Sequence, residues 1–226
     1  MDAGIIFFSP AFLEPYAEFF MSILEAAGEQ RALLQSIQWS TYLQLAEESD
    51  RSGGLLTYDQ GTLEIMTPSM PHESYGSLLA RMIEVFTLVR NIDVRTVAST
   101  TFKRIDLLRG FEADESYYIQ NAPLIQGVRE VDLSMHPPPD LVIEIVITKS
   151  AINKLALFAA MGVPEVWRFN GSQLWMGSRI EVGYIAISES GVLPGFPTDL
   201  ANELLSLQYQ LSETELIRRF MRESQA

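Results

Sequence analysis

Residues 137–150, PPPDLVIEIVITKS, constrain the fold more than any other stretch. Three prolines lead into a Val, Ile and Leu run of the length and composition of a buried strand. Two carboxylates, Asp140 and Glu144, sit within it. A carboxylate buried without a partner is costly enough that it normally neutralises instead. These acids must therefore hold something. Side chains alternate along a strand, so Asp140, Val142, Glu144 and Val146 share one face, expected to look into a cleft. Leu141, Ile143, Ile145 and Ile147 share the other, expected to be the core face. At roughly 3.3 Å per residue, Asp140 and Glu144 stand about 13 Å apart. One ion cannot take both from a straight strand, so a further ligand must come from another element.

The neighbouring segments supply candidates. GFEADESYYIQN places Asp114 and Glu115 just before a strand-like run. PHESYGSLLARMIEVFTLVRN is the clearest helix, with an apolar stripe of Leu78, Leu79, Met82, Ile83 and Phe86 and Glu73 in its first turn. After the acidic strand, Ser150 is expected to cap a helix, SAINKLALFAAMG, that stops at Gly162 and Pro164. Lys154 is the single charged residue of that helix. Oxygen ligands drawn from different elements suit Mg²⁺, a hard cation that keeps some of its waters. A nearby ammonium can orient a water or stabilise developing negative charge. Structural roles compete with each assignment. Asp140 reads equally as a strand-end cap, Glu144 as half of an ion pair, and Lys154 as a snorkelling side chain. Glu73 reads as an acid favoured by the helix N-terminus. His72 is a weaker candidate than any of these, His136 reads as a loop residue, and Trp167 and Arg168 as a strand edge.

The rest of the chain reads as follows. Residues 11–35 show helical spacing of Phe12, Leu13, Tyr16, Phe19, Phe20, Ile23 and Leu24, and one or two helices are expected. A short helix starts near Ser40, with Tyr42, Leu43 and Leu45 inward. GLLTYDQGTLEIMTPS is a hairpin turning at Asp59-Gln60-Gly61. VRTVASTTFKRID fits one strand. Residues 163–190 give two or three antiparallel strands with glycine turns, and a last helix spans about 211–222. The order predicts an α/β or α+β domain with a mixed sheet over 37–226, preceded by an N-terminal helical extension over 1–36.

Composition narrows the function. The chain has 226 residues, 47% of them hydrophobic, enough for a sizeable core. It has no cysteine, which removes disulfides and thiolate metal sites. No apolar run approaches the roughly 20 residues that span a bilayer, and Asp2 and Pro10 argue against a signal peptide. A soluble, cytoplasmic protein with no membrane partner is expected. The net charge of −13 speaks against a nucleic-acid binder, although Arg81, Arg90, Arg95, Lys103, Arg104 and Arg109 cluster, followed by Lys149, Lys154 and Arg168.

Four stretches, LLTYDQGTLEIMTPSMPHESYGSLL, GFEADESYYIQNA, PPPDLVIEIVITKS and KLALFAAMGVPEVWRF, resemble in order the Uma-two-type restriction endonuclease family. That family is abundant in cyanobacteria and assigned to the PD-(D/E)XK nuclease superfamily. The resemblance covers about residues 38–200 and implies a restriction-endonuclease-like core, a mixed central sheet flanked by helices, with a divalent metal held by acids on adjacent strands. Asp114 matches the family's first strand aspartate, Asp140 and Glu144 its PDLVVEV strand, and Lys154 the lysine of the helix ending in GVPE. Glu73 sits where the superfamily often has a helix acid. One departure stands out: the superfamily's lysine two residues beyond the glutamate is Val146 here, leaving Lys154 first and Lys149 second to replace it.

Two functions follow. The first is a Mg²⁺- or Mn²⁺-dependent endonuclease acting on DNA. Asp114 and Glu144 would be metal ligands, Lys154 the third catalytic group, and Glu73 and Asp140 supporting residues. The working unit is expected to be a homodimer joined through the apolar N-terminal helices, because cutting a duplex takes two active sites. The second is a catalytically inactive nuclease fold that binds nucleic acid or protein, favoured by Val146 and the acidic balance. Lys154→Met is expected to leave folding nearly intact while abolishing cleavage.

Overall fold

The computed structural model describes residues 21–26, 28–48 and 54–224. Two six-stranded sheets carry the fold. The first runs β1 (Met21–Ala26), β2 (Glu29–Leu34), β4 (Thr62–Thr67), β3 (Leu55–Asp59), β7 (Arg109–Phe111) and β6 (Phe102–Arg104), antiparallel throughout. The second runs β12 (Tyr184–Ile187), β11 (Leu174–Arg179), β10 (Glu165–Phe169), β9 (Leu141–Ile145), β8 (Glu115–Tyr118) and β5 (Arg95–Thr96). It is mixed: β9 and β10 run parallel and the other neighbours antiparallel.

The helices are α1 (Trp39–Glu47), α2 (Met70–Arg90), α3 (Ala122–Ile125), α4 (Lys154–Ala160), α5 (Thr198–Ser206) and α6 (Glu213–Glu223). None among the described residues is long and apolar enough to cross a membrane. α2 begins at Ser69, whose hydroxyl accepts from the His72 amide, and ends where Asn91 adopts a left-handed conformation. Its whole predicted stripe is buried and packs with α5 and α6 on the Leu141, Ile143 and Ile145 face of β9.

The opposite face of β9 is closed as well, contrary to expectation. Val142 lies in a second cluster that joins Phe102 and Phe111 of the first sheet to Val166 of β10 and Leu157 and Phe158 of α4. The cleft opens only beyond it, at Glu144. Each buried aliphatic side chain contributes about 2 kcal/mol. Three of them on the helix side of β9 together offset the several kcal/mol needed to desolvate one acid. Together with the polar partners that Asp140 and Glu144 find, this burial lets the segment tolerate its carboxylates.

Other expectations need correction. Residues 21–34 are a β-hairpin, not helix: Gly28, at φ +82, makes the turn, and β2 pairs with β4. Ladder bonding of β1 to β2 and of β2 to β4 overrode a helix-like apolar spacing. The helical reading of residues 11–20, with Phe12, Tyr16, Phe19 and Phe20, lies outside the described residues. The single strand read over VRTVASTTFKRID is two, β5 and β6, in different sheets, with Ala98 at φ +45 between them. α4 starts later than expected, because Asn153 rather than Ser150 accepts from the helix amide of Ala156. α5 was not foreseen at all. The hairpin turn at Asp59-Gln60-Gly61 is as expected: Gln60 and Gly61 both have positive φ, the conformation a two-residue turn demands.

Candidate active site

β8 and β9 pair antiparallel with Glu115 opposite Ile143. Asp114, one residue before β8, therefore comes to the end of β9 that carries Glu144. Its Oδ2 accepts from the Ile145 amide at 2.6 Å, and its Oδ1 lies 2.8 Å from His72 Nε2. Lys154 opens α4 and reaches back over the strand end, its Nζ donating to Glu144 Oε2 at 2.8 Å. Lys154 is 8% exposed and Glu144 3%. The other oxygen, Glu144 Oε1, is buried without a hydrogen-bond partner among the described residues. Burial pushes the Glu144 carboxyl up and the Lys154 charge pulls it back. Burial works against the Lys154 ammonium, but Glu144 and Asp114 hold it protonated.

Behind these residues lies a buried polar network joining both sheets. His72 presents Nδ1 to Glu29 Oε2 at 3.0 Å as well as Nε2 to Asp114. An imidazole with a carboxylate on each nitrogen donates from both and is charged. Burial alone would lower its pKa, yet hydrogen bonds and charges from Asp114 and Glu29 raise it to about 9. Burial likewise pushes Glu29 up, and His72, Thr148 and Arg31 bring it down to about 2. Arg31 spans Glu29 and Glu64, with contacts of 2.6 Å to each. Thr148 hydrogen-bonds Glu29, while Ser150 Oγ and the Ala151 amide donate to Glu64, each at 2.8 Å. The 148–151 loop is thus fastened to the first sheet while it lines a cleft of about 410 Å³ together with Glu144, Lys154 and Arg168.

The other site candidates fall elsewhere. Asp140 anchors a loop: Oδ2 accepts from the amides of Ile119 (2.6 Å) and Asn121 (2.9 Å), and Oδ1 from Asn121 Nδ2 (2.5 Å). Glu73 is exposed in the first turn of α2, and its neighbour His72 is the side chain that reaches Asp114. Lys149 is exposed on the cleft loop. His136 stays in its loop, bonded to the Asp132 amide. Trp167 and Arg168 are not on an edge, since β10 lies between β9 and β11 and Trp167 is fully buried. Glu29, Arg31 and Glu64 were missed. The signal for Glu64 was present: an acid inside the otherwise apolar strand TLEIMT poses the same question as Glu144.

The donor set fits a hard divalent cation. Asp114 and Glu144 offer carboxylate oxygens only, one of them unpartnered and buried. Among the described residues no group of three or more His, Cys, Asp or Glu side chains is placed to hold a metal. The protein would supply two carboxylates and leave the remaining positions to water and substrate oxygen, the habit of Mg²⁺.

The mixed sheet backed by helices is a restriction-endonuclease-like fold, similar to that of a solved putative nuclease. The chain belongs to the family described as "Uma2: Putative restriction endonuclease", whose model matches residues 39–212. The fold is also that of the crystal structure of a "putative nuclease belonging to DUF820" from Anabaena variabilis. The two share 18% identity with a TM-score of 0.51, and the match covers 81% of this chain and 99% of that one. No curated protein matches the sequence.

Proposed function

We propose that the protein is an endonuclease that hydrolyses DNA phosphodiester bonds with Mg²⁺ or Mn²⁺ held by Asp114 and Glu144. The observation that carries this reading is the buried, unpartnered Oε1 of Glu144, close to Asp114 and Lys154 in an otherwise satisfied polar network. A bound divalent cation would polarise the phosphoryl oxygen and make its bound water more acidic. The chain's own residues do the rest. His72 and the Ile145 amide fix the Asp114 carboxylate from two directions. Lys154 keeps its proton and offers a fixed positive charge to the phosphate as negative charge develops. Its stem, starting from α4, crosses the distance that a lysine at position 146 would cover directly. The packed side chains of the Val142 cluster keep bulk water from one side of the pair.

Cutting both strands of a duplex calls for two such sites, and a homodimer is the simplest assembly that supplies them. Light scattering at micromolar concentration should return twice the chain mass; a monomer mass would remove the dimer from the proposal.

The Lys154–Glu144 contact also supports a second reading, a non-catalytic binding module, because the pair satisfies both charges without a metal. Supercoiled plasmid DNA separates the two. Cleavage in Mg²⁺ or Mn²⁺, none in EDTA and none by Lys154→Met is the expected result. Wild-type protein that leaves the plasmid intact with either metal would favour the module.

A further inference from the structure

Arg168 is a half-buried cation that lines the cleft. It sits on β10 directly opposite Glu144 of β9. Alternation puts it on the same face as Val166, beyond the point where the Val142 and Phe158 packing ends. The cleft that it lines lies at the carboxyl ends of the parallel strands β9 and β10, the place where open sheets of this kind receive ligands. Of the cleft's other cations, Arg31 is held by Glu29 and Glu64, and Lys154 by Glu144. Arg168 and Lys149 have no carboxylate in ion-pair contact among the described residues, and Glu144 is the single acid lining the cleft. A guanidinium brings five donors and no acceptor, in a fork that matches phosphate oxygens. Arg168 stands on an inner strand of the sheet, beside an acid that Lys154 already pairs.

We infer that Arg168, assisted by Lys149 on the cleft loop, is a phosphate-binding subsite that grips the DNA backbone at the phosphodiester next to the one presented to Asp114 and Glu144. The inference rests on the DNA-cleaving reading and deepens it. The subsite would give a chain of net charge −13 a local hold on a polyanion, because Arg168 and Lys149 both line the cleft.

The test is fluorescence anisotropy with a labelled DNA duplex in EDTA, which blocks cleavage, titrated between about 50 and 200 mM salt. Each lost phosphate contact should lower the magnitude of the log K against log salt slope by about one. Arg168→Gln should weaken binding about tenfold and reduce the slope by about one. Arg168→Lys should keep the slope, and Lys149→Gln should add a further loss. Arg219→Gln, whose arginine is ion-paired to Glu203 and Glu223 outside the cleft, should change neither. Arg168→Gln matching wild type in affinity and slope would overturn the subsite and leave the nuclease reading standing, provided that Mn²⁺ uptake by calorimetry is intact. Wild-type protein that takes up Mn²⁺ but binds no duplex would overturn both.

Discussion

At the scale of single residues, His72 and Glu29 tie the fold to pH in opposite senses. His72 is raised from 6.5 to about 9, so its stabilisation is fully present below pH 6.5 and is lost as pH rises through about 9. Glu29 is lowered from 4.5 to about 2, so its stabilisation is present above pH 4.5 and is lost as pH falls through about 2. Glu115 is raised to about 7 by burial and by Glu84, Asp114 and Glu73, and its contribution fades as pH rises from 4.5 through about 7. Urea midpoints in EDTA should therefore fall between pH 6.5 and about 9, and His72→Gln should flatten that fall. Parallel curves for the two proteins would show that the imidazolium is not the cause. Lys154 corrects an expectation. Its ammonium is the buried partner of Glu144, so Lys154→Met should destabilise by about 3 kcal/mol rather than leave folding nearly intact, less whatever Glu144 recovers by taking a proton. Glu144→Gln combined with Lys154→Met should restore most of it. A denaturation cycle in which the two single losses simply add would contradict the pairing.

At the scale of elements, a buried acid that fastens a loop stands just before β9 and another opens its parallel neighbour β10. Asp140 holds residues 119–121, and Glu165 holds the amides of Gly191 and Val192 along with Ser190 and Trp167. Glu144, at the far end of β9, keeps a free oxygen instead. Asp140→Asn should lower stability by about 2–3 kcal/mol through its charge-assisted hydrogen bonds, with Mn²⁺ affinity unchanged. A calorimetric scan paired with a metal titration checks both, and a loss of metal affinity would move Asp140 into the site. This contrast was not legible in PDLVIEI, where both acids occupy equivalent alternating positions. What separates them is the company they meet: loop amides for Asp140, and a lysine from the next helix for Glu144. Legible were the long helix, the 55–67 hairpin and β8 and β9, because each satisfies its own periodicity or turn chemistry. The β1–β2 hairpin was not, since it joins the sheet through the pairing of β2 with β4, a contact distant in sequence. His72 was undervalued because its two partners lie 43 and 42 residues away in the sequence.

At the scale of the whole molecule, the candidate site lies where the two sheets meet. The first sheet contributes Glu29, Arg31 and Glu64, the second Asp114 and Glu144, and α2 and α4 add His72 and Lys154. The family resemblance reached the second sheet's acids and α4's lysine, which are short sequence motifs. The first sheet's share is assembled by tertiary pairing and carries no motif of its own. The central claim is that Asp114 and Glu144 form a divalent-cation site, and isothermal titration of Mn²⁺ into the metal-free protein tests it most directly. Wild type should take up the ion, while Glu144→Gln, which keeps the side chain's shape and removes its charge, should lose most of the binding heat. Identical titrations for the two proteins, or no uptake by wild type, would contradict it.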